Sequence, residues 1–204
     1  MPTDPEGYKY DVFLSYLRTD PSGENATTYT WVRKYLYPEL KKWLPHCVPP
    51  GRQTPIFWDD KSIKVGTEWP KALQDALSTS RCLLAVLSSQ YFGSQWCQAE
   101  WNTMLERRKS LNVTSGLIYA IVLSGKEFFP ETVRTIQMKD LSRFNRTDLA
   151  FERSSAYGRF QATIRNGVCK DLSKMILEAP TWDKNWRVVI PEEILRKNVE
   201  LPQL

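Results

Sequence analysis

The feature that most constrains the fold is a regular alternation of short apolar runs with longer segments of helical periodicity. Five runs are typical of buried strands, and they span residues 10–16, 55–58, 82–87, 117–123 and, more weakly, 138–144. Helical spacing is clearest over residues 27–44, 94–109 and 160–176. Alternating strands and helices imply parallel pairing with right-handed crossovers. The pattern therefore predicts an α/β, flavodoxin-like fold: a five-stranded parallel sheet in the order 2-1-3-4-5 with helices on both faces.

The chain has 204 residues, which suits one domain of ordinary size with an appendage. We predict an N-terminal tail over residues 1–7, the α/β domain over residues 8–178 and a C-terminal extension over residues 179–204. The extension does not fit the strand count. It could form an extra strand or a docking arm, and the sequence leaves its role open.

Composition excludes several classes of function. The net charge is +5, but acidic and basic residues are interspersed, and the one tight basic run, residues 107–109, is expected to be solvated or to face a helix dipole. We therefore expect no nucleic-acid partner. His46 is the single histidine and the four cysteines form no CxxC pair, so we predict no metal site. The N-terminus lacks signal-peptide features and no run approaches a membrane span, which predicts a cytoplasmic, reduced chain with no membrane contact.

In an open parallel sheet, ligands bind beyond the carboxyl ends of the strands where the strand order reverses, here between the first and third strands. On the helix after the third strand, Trp96 and Glu100 share one face. That face differs from the core face that carries Cys97 and Trp101, so Glu100 need not point into the core. The candidate substrate-binding residues at this edge are Ser15, Tyr16, Leu17, Arg18, Ser88 and Trp96.

Other chemistries fit this edge poorly. No GxGxxG and no GxxxxGK[ST] occurs, so a resident dinucleotide cofactor held in the usual way is not expected. A phosphoacceptor aspartate would end the third strand, where Ser88 stands. Simpler interpretations also remain open: Ser15 could satisfy backbone groups, Trp96 could pack, and Glu100 could be a solvated helix residue.

Three ordered blocks of residues resemble those of TIR (Toll/interleukin-1 receptor) domains, and the resemblance covers about residues 8–178. The first block is residues 10–16 (YDVFLSY). The second comprises Trp58, Asp59, Asp60, Ile63, Gly66, Trp69 and Pro70. The third comprises residues 87–92 (LSSQYF) followed by Ser94, Trp96, Cys97 and Glu100.

The resemblance implies NAD⁺ hydrolysis, which many members of this family catalyse, and it places the family glutamate on Glu100. NAD⁺ would then be the substrate rather than a cofactor. The products would be nicotinamide and ADP-ribose, linear or cyclised, which a downstream effector could recognise. Because no other signalling segment accompanies the domain, the chain resembles a stand-alone bacterial-type enzyme of antiviral defence.

That reaction suits a single carboxylate. The nicotinamide of NAD⁺ is already a cationic pyridinium and leaves neutral, so no general acid is required. A carboxylate near the ribose can stabilise an oxocarbenium-like transition state. Trp96 could stack on a flat ring, and Arg18 could contact the pyrophosphate.

The loop after the second strand, residues 59–68, is the predicted self-association element. Ile63 and Val65 are apolar there, and no helical or strand pattern buries them. A neighbouring subunit would complete an otherwise open ledge around Tyr16 and Glu100, through head-to-tail assembly. The alternative function is a non-enzymatic adaptor that binds other TIR domains through this loop. The candidate self-association residues in this loop are Lys61, Ile63, Lys64, Val65 and Gly66.

Overall fold

The computed structural model of the chain describes residues 7–18, 27–58, 71–134, 136 and 138–191. Its strands form one parallel sheet of five strands in the order β2-β1-β3-β4-β5. The predicted fold class and strand order are therefore confirmed. The strands are Tyr10–Tyr16 (β1), Ile56–Phe57 (β2), Ser80–Leu87 (β3), Ile118–Val122 (β4) and Met138–Asp140 (β5).

Helices cover both faces of the sheet. On one face lie Thr27–Trp31 (α1), Tyr37–Trp43 (α2), Leu149–Glu152 (α6), Ser155–Thr163 (α7) and Cys169–Leu177 (α8). On the other face lie Lys71–Ser78 (α3), Gln95–Ser110 (α4) and Glu131–Arg134 (α5). Among the described helices, none combines the length and the apolar character needed to cross a membrane.

The core consists of two clusters, one on each face of the sheet. In β1, Val12 and Leu14 belong to the cluster under α1 and α2, whereas Phe13 belongs to the cluster under α3 and α4. This division follows from the alternation of side chains along a strand. Every residue of β3 is buried, as expected for a strand covered on both faces.

The predicted helix over residues 27–44 is interrupted by a π-helical turn, Val32–Leu36. There the Tyr37 N–H donates to the Val32 carbonyl, five residues earlier. Pro38 follows directly, and in a regular helix its ring would clash with the carbonyl of Lys34. The widened turn relieves that clash, so the helix continues as α2.

The periodicity predicted for the last helix is confirmed, because all five of its apolar positions are buried. A second π-helical turn, Ile164–Val168, joins α7 to α8 within this segment. The five positions are Phe160, Ile164, Val168, Leu172 and Ile176.

The predicted fifth strand is shorter than expected and ends at Asp140. The Asp140 carboxylate accepts hydrogen bonds from the Ser142 N–H at 3.0 Å and from the Ser142 hydroxyl at 2.6 Å. This local turn bends the chain into a 3-10 turn, Ser142–Phe144, and ends the ladder.

Residues 179–191, here called the C-terminal arm, contain no strand and pack back onto the domain. Pro180 accepts from the Tyr8 hydroxyl at 2.7 Å, and the Val189 N–H donates to the Thr103 hydroxyl of α4 at 2.9 Å. The Trp182 ring lies so close to Gly7 that a Cβ on Gly7 would sit 2.4 Å from it. The arm therefore covers the outer side of α4 and the amino end of β1.

Arg107 is buried rather than solvated, and of the two expectations for the basic run it fits the second, because it faces the carboxyl end of a helix, α3. Its guanidinium donates to the carbonyls of Ser80 at 2.9 Å and of Leu77 and Ser78 at 3.3 Å each. It also lies 4.1 Å from the centre of the Trp186 ring of the C-terminal arm. The last carbonyls of a helix lack partners within the helix, and Arg107 supplies donors to those of α3. Burial lowers the pKa of Arg107 to about 10.

Candidate active site

Glu100 lies in the second turn of α4, and its side chain is only 4% exposed. The helix starts after Ser94, whose hydroxyl accepts a hydrogen bond from the Cys97 N–H at 3.4 Å. The sequence did not require Glu100 to point into the core, yet the structure buries it. The carboxylate of Glu100 points toward the carboxyl end of β1, so the buried surface of α4 is wider than the face that carries Cys97 and Trp101.

Three buried polar side chains meet at this point. The Ser15 hydroxyl donates to Glu100 Oε2 at 2.5 Å. The Tyr91 hydroxyl lies 2.6 Å from Ser15 Oγ. Ser15 is near the end of β1, and Tyr91 belongs to a 3-10 turn, Tyr91–Gly93, that follows β3. The cluster therefore stands at the carboxyl ends of β1 and β3, where the strand order reverses.

The surroundings keep the neighbouring phenol and thiol uncharged. Burial raises the pKa of Tyr91 well above its ordinary value, and nearby Cys97 and Glu100 add to the effect, while the hydrogen bond with Ser15 opposes it. Burial and the charge of Glu100 also raise the pKa of the Cys97 thiol, and the charge of Arg18 acts in the opposite direction. Tyr91 is consequently a hydrogen-bond donor at neutral pH, and Arg18 is electrostatically coupled to the first turn of α4.

The structure does not bring Tyr16 together with Glu100. Tyr16 belongs to the core cluster on the opposite face of the sheet, where its hydroxyl accepts from Trp58 Nε1 at 2.8 Å and its ring stacks on Tyr29. Adjacent residues of a strand point to opposite faces, so Ser15 and Tyr16 cannot both face α4. The predicted open ledge is also wrong, because Tyr16 and Glu100 are both buried.

The remaining predicted site residues lie around the cluster with different degrees of exposure. Leu17, Arg18 and Trp96 are half-buried, and Trp96 packs against the core cluster of the α3 and α4 face. Ser88 is buried at the end of β3, and its hydroxyl has no hydrogen-bond partner among the residues that the structure describes. The Ser88 carbonyl accepts from the Tyr91 N–H at 3.0 Å.

The turn after β3 is held against the segment after β4. Gly125 adopts a left-handed conformation with φ +68°, and a Cβ there would lie 2.5 Å from the Cα of Ser89. Only glycine permits this backbone contact. Together with the hydrogen bond from the Leu123 N–H to the Leu87 carbonyl at 2.8 Å, the contact fixes one side of the candidate site.

The predicted self-association residues Lys61, Ile63, Lys64, Val65 and Gly66 lie outside the described residues, and their role stays a prediction. Tyr91 was not predicted as a site residue, although it stands in the third motif block. Tyr91 and Glu100 are nine positions apart, across a 3-10 turn and the start of α4, so no single periodicity relates the two.

Comparison with known proteins identifies the family. The family model described as TIR domain matches residues 12–154. Toll-like receptor 13 of Mus musculus is 30% identical over 95 residues, which is 46% of this chain but only 8% of that receptor's length. The TIR domains in the structure of the activated Roq1 resistosome directly recognizing the pathogen effector XopQ are 17% identical, with a TM-score of 0.41, over 94% of this chain and 98% of that chain.

The structural likeness is too low to bear on function. The family model, however, covers well over half of the chain, and its range includes Ser15 of β1 and the whole of α4, which carries Glu100. This chain is a member of the TIR domain family.

Proposed function

We propose that this protein cleaves the bond between nicotinamide and ribose in NAD⁺, with Glu100 as the catalytic residue. The products would be nicotinamide and ADP-ribose, or a cyclic isomer of it. The observation that carries the proposal is a buried carboxylate, hydrogen-bonded by Ser15, at the carboxyl ends of the two strands where sheets of this kind bind ligands.

The burial of Glu100 suits this chemistry. Nicotinamide leaves as a neutral molecule, so the enzyme needs to stabilise positive charge on the ribose rather than to protonate the leaving group. A carboxylate acts more strongly on that charge when water is excluded. An unpaired buried carboxylate would be costly, and the hydrogen bond from Ser15 offsets part of that cost.

The half-buried residues around Glu100 would bind the rest of the substrate. Arg18 is coupled to the start of α4 and would contact the pyrophosphate. Trp96, one turn before Glu100, would stack on the nicotinamide ring, and Leu17 would line the entrance. The buried Ser88 hydroxyl would bond a polar group of the substrate, since no partner for it lies among the described residues.

Access to Glu100 requires its neighbours to move, because the side chain is 4% exposed. We propose that self-association through residues 59–68 triggers this movement and assembles the competent site. A cytoplasmic location, a role in bacterial immunity and a downstream effector that recognises the nucleotide product belong to the same proposal.

The test is to incubate the purified chain with NAD⁺ over a wide range of protein concentrations and to follow nicotinamide by chromatography. We expect release whose rate per molecule rises with concentration. Glu100→Gln should lower that rate by about 100-fold or more, because the stabilising charge is lost while the shape is kept.

Glu106→Gln is the matched control. Glu106 lies on the same helix, and its described ion pair, at 3.8 Å, is with Arg187 of the C-terminal arm rather than with a residue of the candidate site. It should release nicotinamide at the wild-type rate. No release at any concentration, or equal release by Glu100→Gln, would overturn the proposal and favour the adaptor, whose binding to other TIR domains should survive Glu100→Gln but not Ile63→Asp.

A further inference from the structure

Tyr91, Ser15 and Glu100 form a continuous buried chain of hydrogen bonds. The three side chains come from a 3-10 turn, a strand and a helix, and each is at most 4% exposed. The two links measure 2.6 Å between Tyr91 Oη and Ser15 Oγ and 2.5 Å between Ser15 Oγ and Glu100 Oε2. Both distances lie at the short end of the range for O–H···O hydrogen bonds.

Proton counting fixes the direction of the chain. A carboxylate only accepts hydrogen bonds, and a serine hydroxyl has one proton to donate. Ser15 gives that proton to Glu100, so the bond between Tyr91 and Ser15 can form only if the phenol donates. Burial raises the pKa of the phenol well above its ordinary value, which keeps that proton in place at neutral pH.

The ring of Tyr91 and its hydroxyl have separable roles. The ring packs edge-on against Phe92 at 5.0 Å and Trp101 at 6.4 Å, contacts that a phenylalanine would make equally well. A fully buried hydroxyl costs free energy unless it is hydrogen-bonded. The described partner of this hydroxyl is Ser15, so the hydroxyl acts on Ser15 rather than on the packing of the core.

The phenol is also held rigidly. The Tyr91 N–H donates to the Ser88 carbonyl at 3.0 Å, and its own carbonyl accepts from the Ser94 N–H at 3.2 Å. These bonds tie the end of β3 to the start of α4 through the turn that carries Tyr91. A hydrogen bond received by Ser15 strengthens the one that Ser15 donates, because neighbouring hydrogen bonds polarise each other.

We propose that Tyr91 is a positioning residue for Glu100, and that it acts through Ser15 by orienting and strengthening the hydrogen bond to Oε2. The proposal rests on the proposed function, in which Glu100 is the catalytic residue. In this proposal the Ser15 hydroxyl links the Tyr91 hydroxyl to the Glu100 carboxylate, and Ser15 does not contact the substrate directly.

The test compares Tyr91→Phe with Tyr119→Phe. Tyr119 is a matched control, because its buried hydroxyl donates to Asp171 at 2.8 Å on the opposite face of the sheet. For Tyr91→Phe we expect kcat of nicotinamide release to fall about ten-fold with KM nearly unchanged. The acidic limb of its kcat–pH profile should move to higher pH, since weaker hydrogen bonding disfavours the ionised carboxylate. Tyr119→Phe should change neither quantity.

A second measurement does not depend on activity. The shifts in melting temperature of Tyr91→Phe and Glu100→Gln should not add, with the double variant departing from the sum by about 2 °C or more. The shifts of Tyr119→Phe and Glu100→Gln should add. If wild type releases no nicotinamide, the proposed function fails. The melting temperatures of the single and double variants still show whether Tyr91 and Glu100 are coupled through the hydrogen bonds of Ser15. Additive shifts for Tyr91 and Glu100, or a kcat and pH profile equal to those of Tyr119→Phe, would overturn the positioning role.

Discussion

The two halves of α4 each bury one charged residue, and they treat it differently. Arg107, which is 2% exposed, is bonded to three backbone carbonyls and covered by the ring of Trp186. Glu100, which is 4% exposed, is bonded by the hydroxyl of Ser15, which in turn contacts Tyr91. Both residues lie on one helix, seven positions apart.

The difference lies in what the partners can do. Backbone carbonyls at the end of α3 are fixed by the fold, so Arg107 is committed to joining α3, β3 and α4. Hydroxyl groups rotate, and their hydrogen bonds can be exchanged for bonds to a ligand. The comparison indicates that Arg107, in the carboxyl-terminal half of α4, has a structural role. Glu100, in the amino-terminal half, keeps a partner that can be exchanged for a ligand.

The largest expected effect on stability comes from Arg107→Met. It removes the donors from three carbonyls and should lower the free energy of unfolding by about 3 kcal/mol. Glu100→Gln should change it by less than about 1 kcal/mol, because the amide oxygen still accepts from Ser15. Urea unfolding measures both, with Arg108→Met as the control for loss of a half-buried arginine. Equal losses for Glu100→Gln and Arg107→Met would erase the distinction between the two halves.

An intermediate effect on the free energy of unfolding is expected when the pH is raised, through the Cys97 thiol in the amino-terminal half of α4. Burial raises the pKa of Cys97 far above the ordinary 9.0, so the folded state keeps a proton that the unfolded state loses. This contribution to stability is complete below pH 9 and is lost as pH rises, at about 1.4 kcal/mol per pH unit. Arg107 acts with the opposite sign, since its pKa falls from 12.5 to about 10 and the unfolded state binds more protons between those values.

Denaturant unfolding at intervals from pH 8 to pH 10 tests the effect before Arg107 contributes. The free energy of unfolding should fall more steeply for wild type than for Cys97→Ala above pH 9. Parallel curves for the two proteins would mean that the Cys97 thiol titrates normally and is not held neutral in the fold.

The smallest effect is expected from Trp186→Leu in the C-terminal arm. The variant removes the ring over the Arg107 guanidinium but keeps its three carbonyl partners. Because the Arg107 guanidinium is buried but the Trp186 ring is half-buried, we expect the cation–π contact to contribute about 1 kcal/mol, less than the loss expected for Arg107→Met. Nicotinamide release should stay at the wild-type rate at a temperature where both proteins are folded. A large loss of activity with unchanged stability would show that the carboxyl-terminal half of α4 also affects the candidate site, and it would contradict the comparison.

Much of the fold could be predicted because burial leaves a periodic record in the chain. The apolar run of β3 indicated a strand covered on both faces, and the spacing from Phe160 to Ile176 indicated one long buried helical segment. Parallel order followed from the alternation of strands and helices. The ends of elements were less predictable, because the π turn before Pro38 and the turn at Asp140 depend on local bonds rather than on periodicity.

The candidate site was predictable only in outline. The switch point and the third motif block directed attention to Ser15 and Glu100, but they also grouped Tyr16 with them, although side chains alternate along a strand and put Ser15 and Tyr16 on opposite faces. Their contacts could not be read from spacing. Ser15 and Glu100 are 85 positions apart, and Ser15 and Tyr91 are 76 apart.

By itself, then, the sequence determined which residues avoid water and hence the strands, the helices and their order. Only the tertiary structure decided that Glu100 and Arg107 are buried and what they contact. The physical reason is that hydrophobic periodicity describes one covered face of a helix, whereas α4 also meets the end of β1 at Glu100 and the C-terminal arm at Arg107. Val189, which contacts Thr103 of that helix, is 86 positions away. Such a long-range contact leaves no local pattern, yet it turns polar side chains of α4 into interior groups.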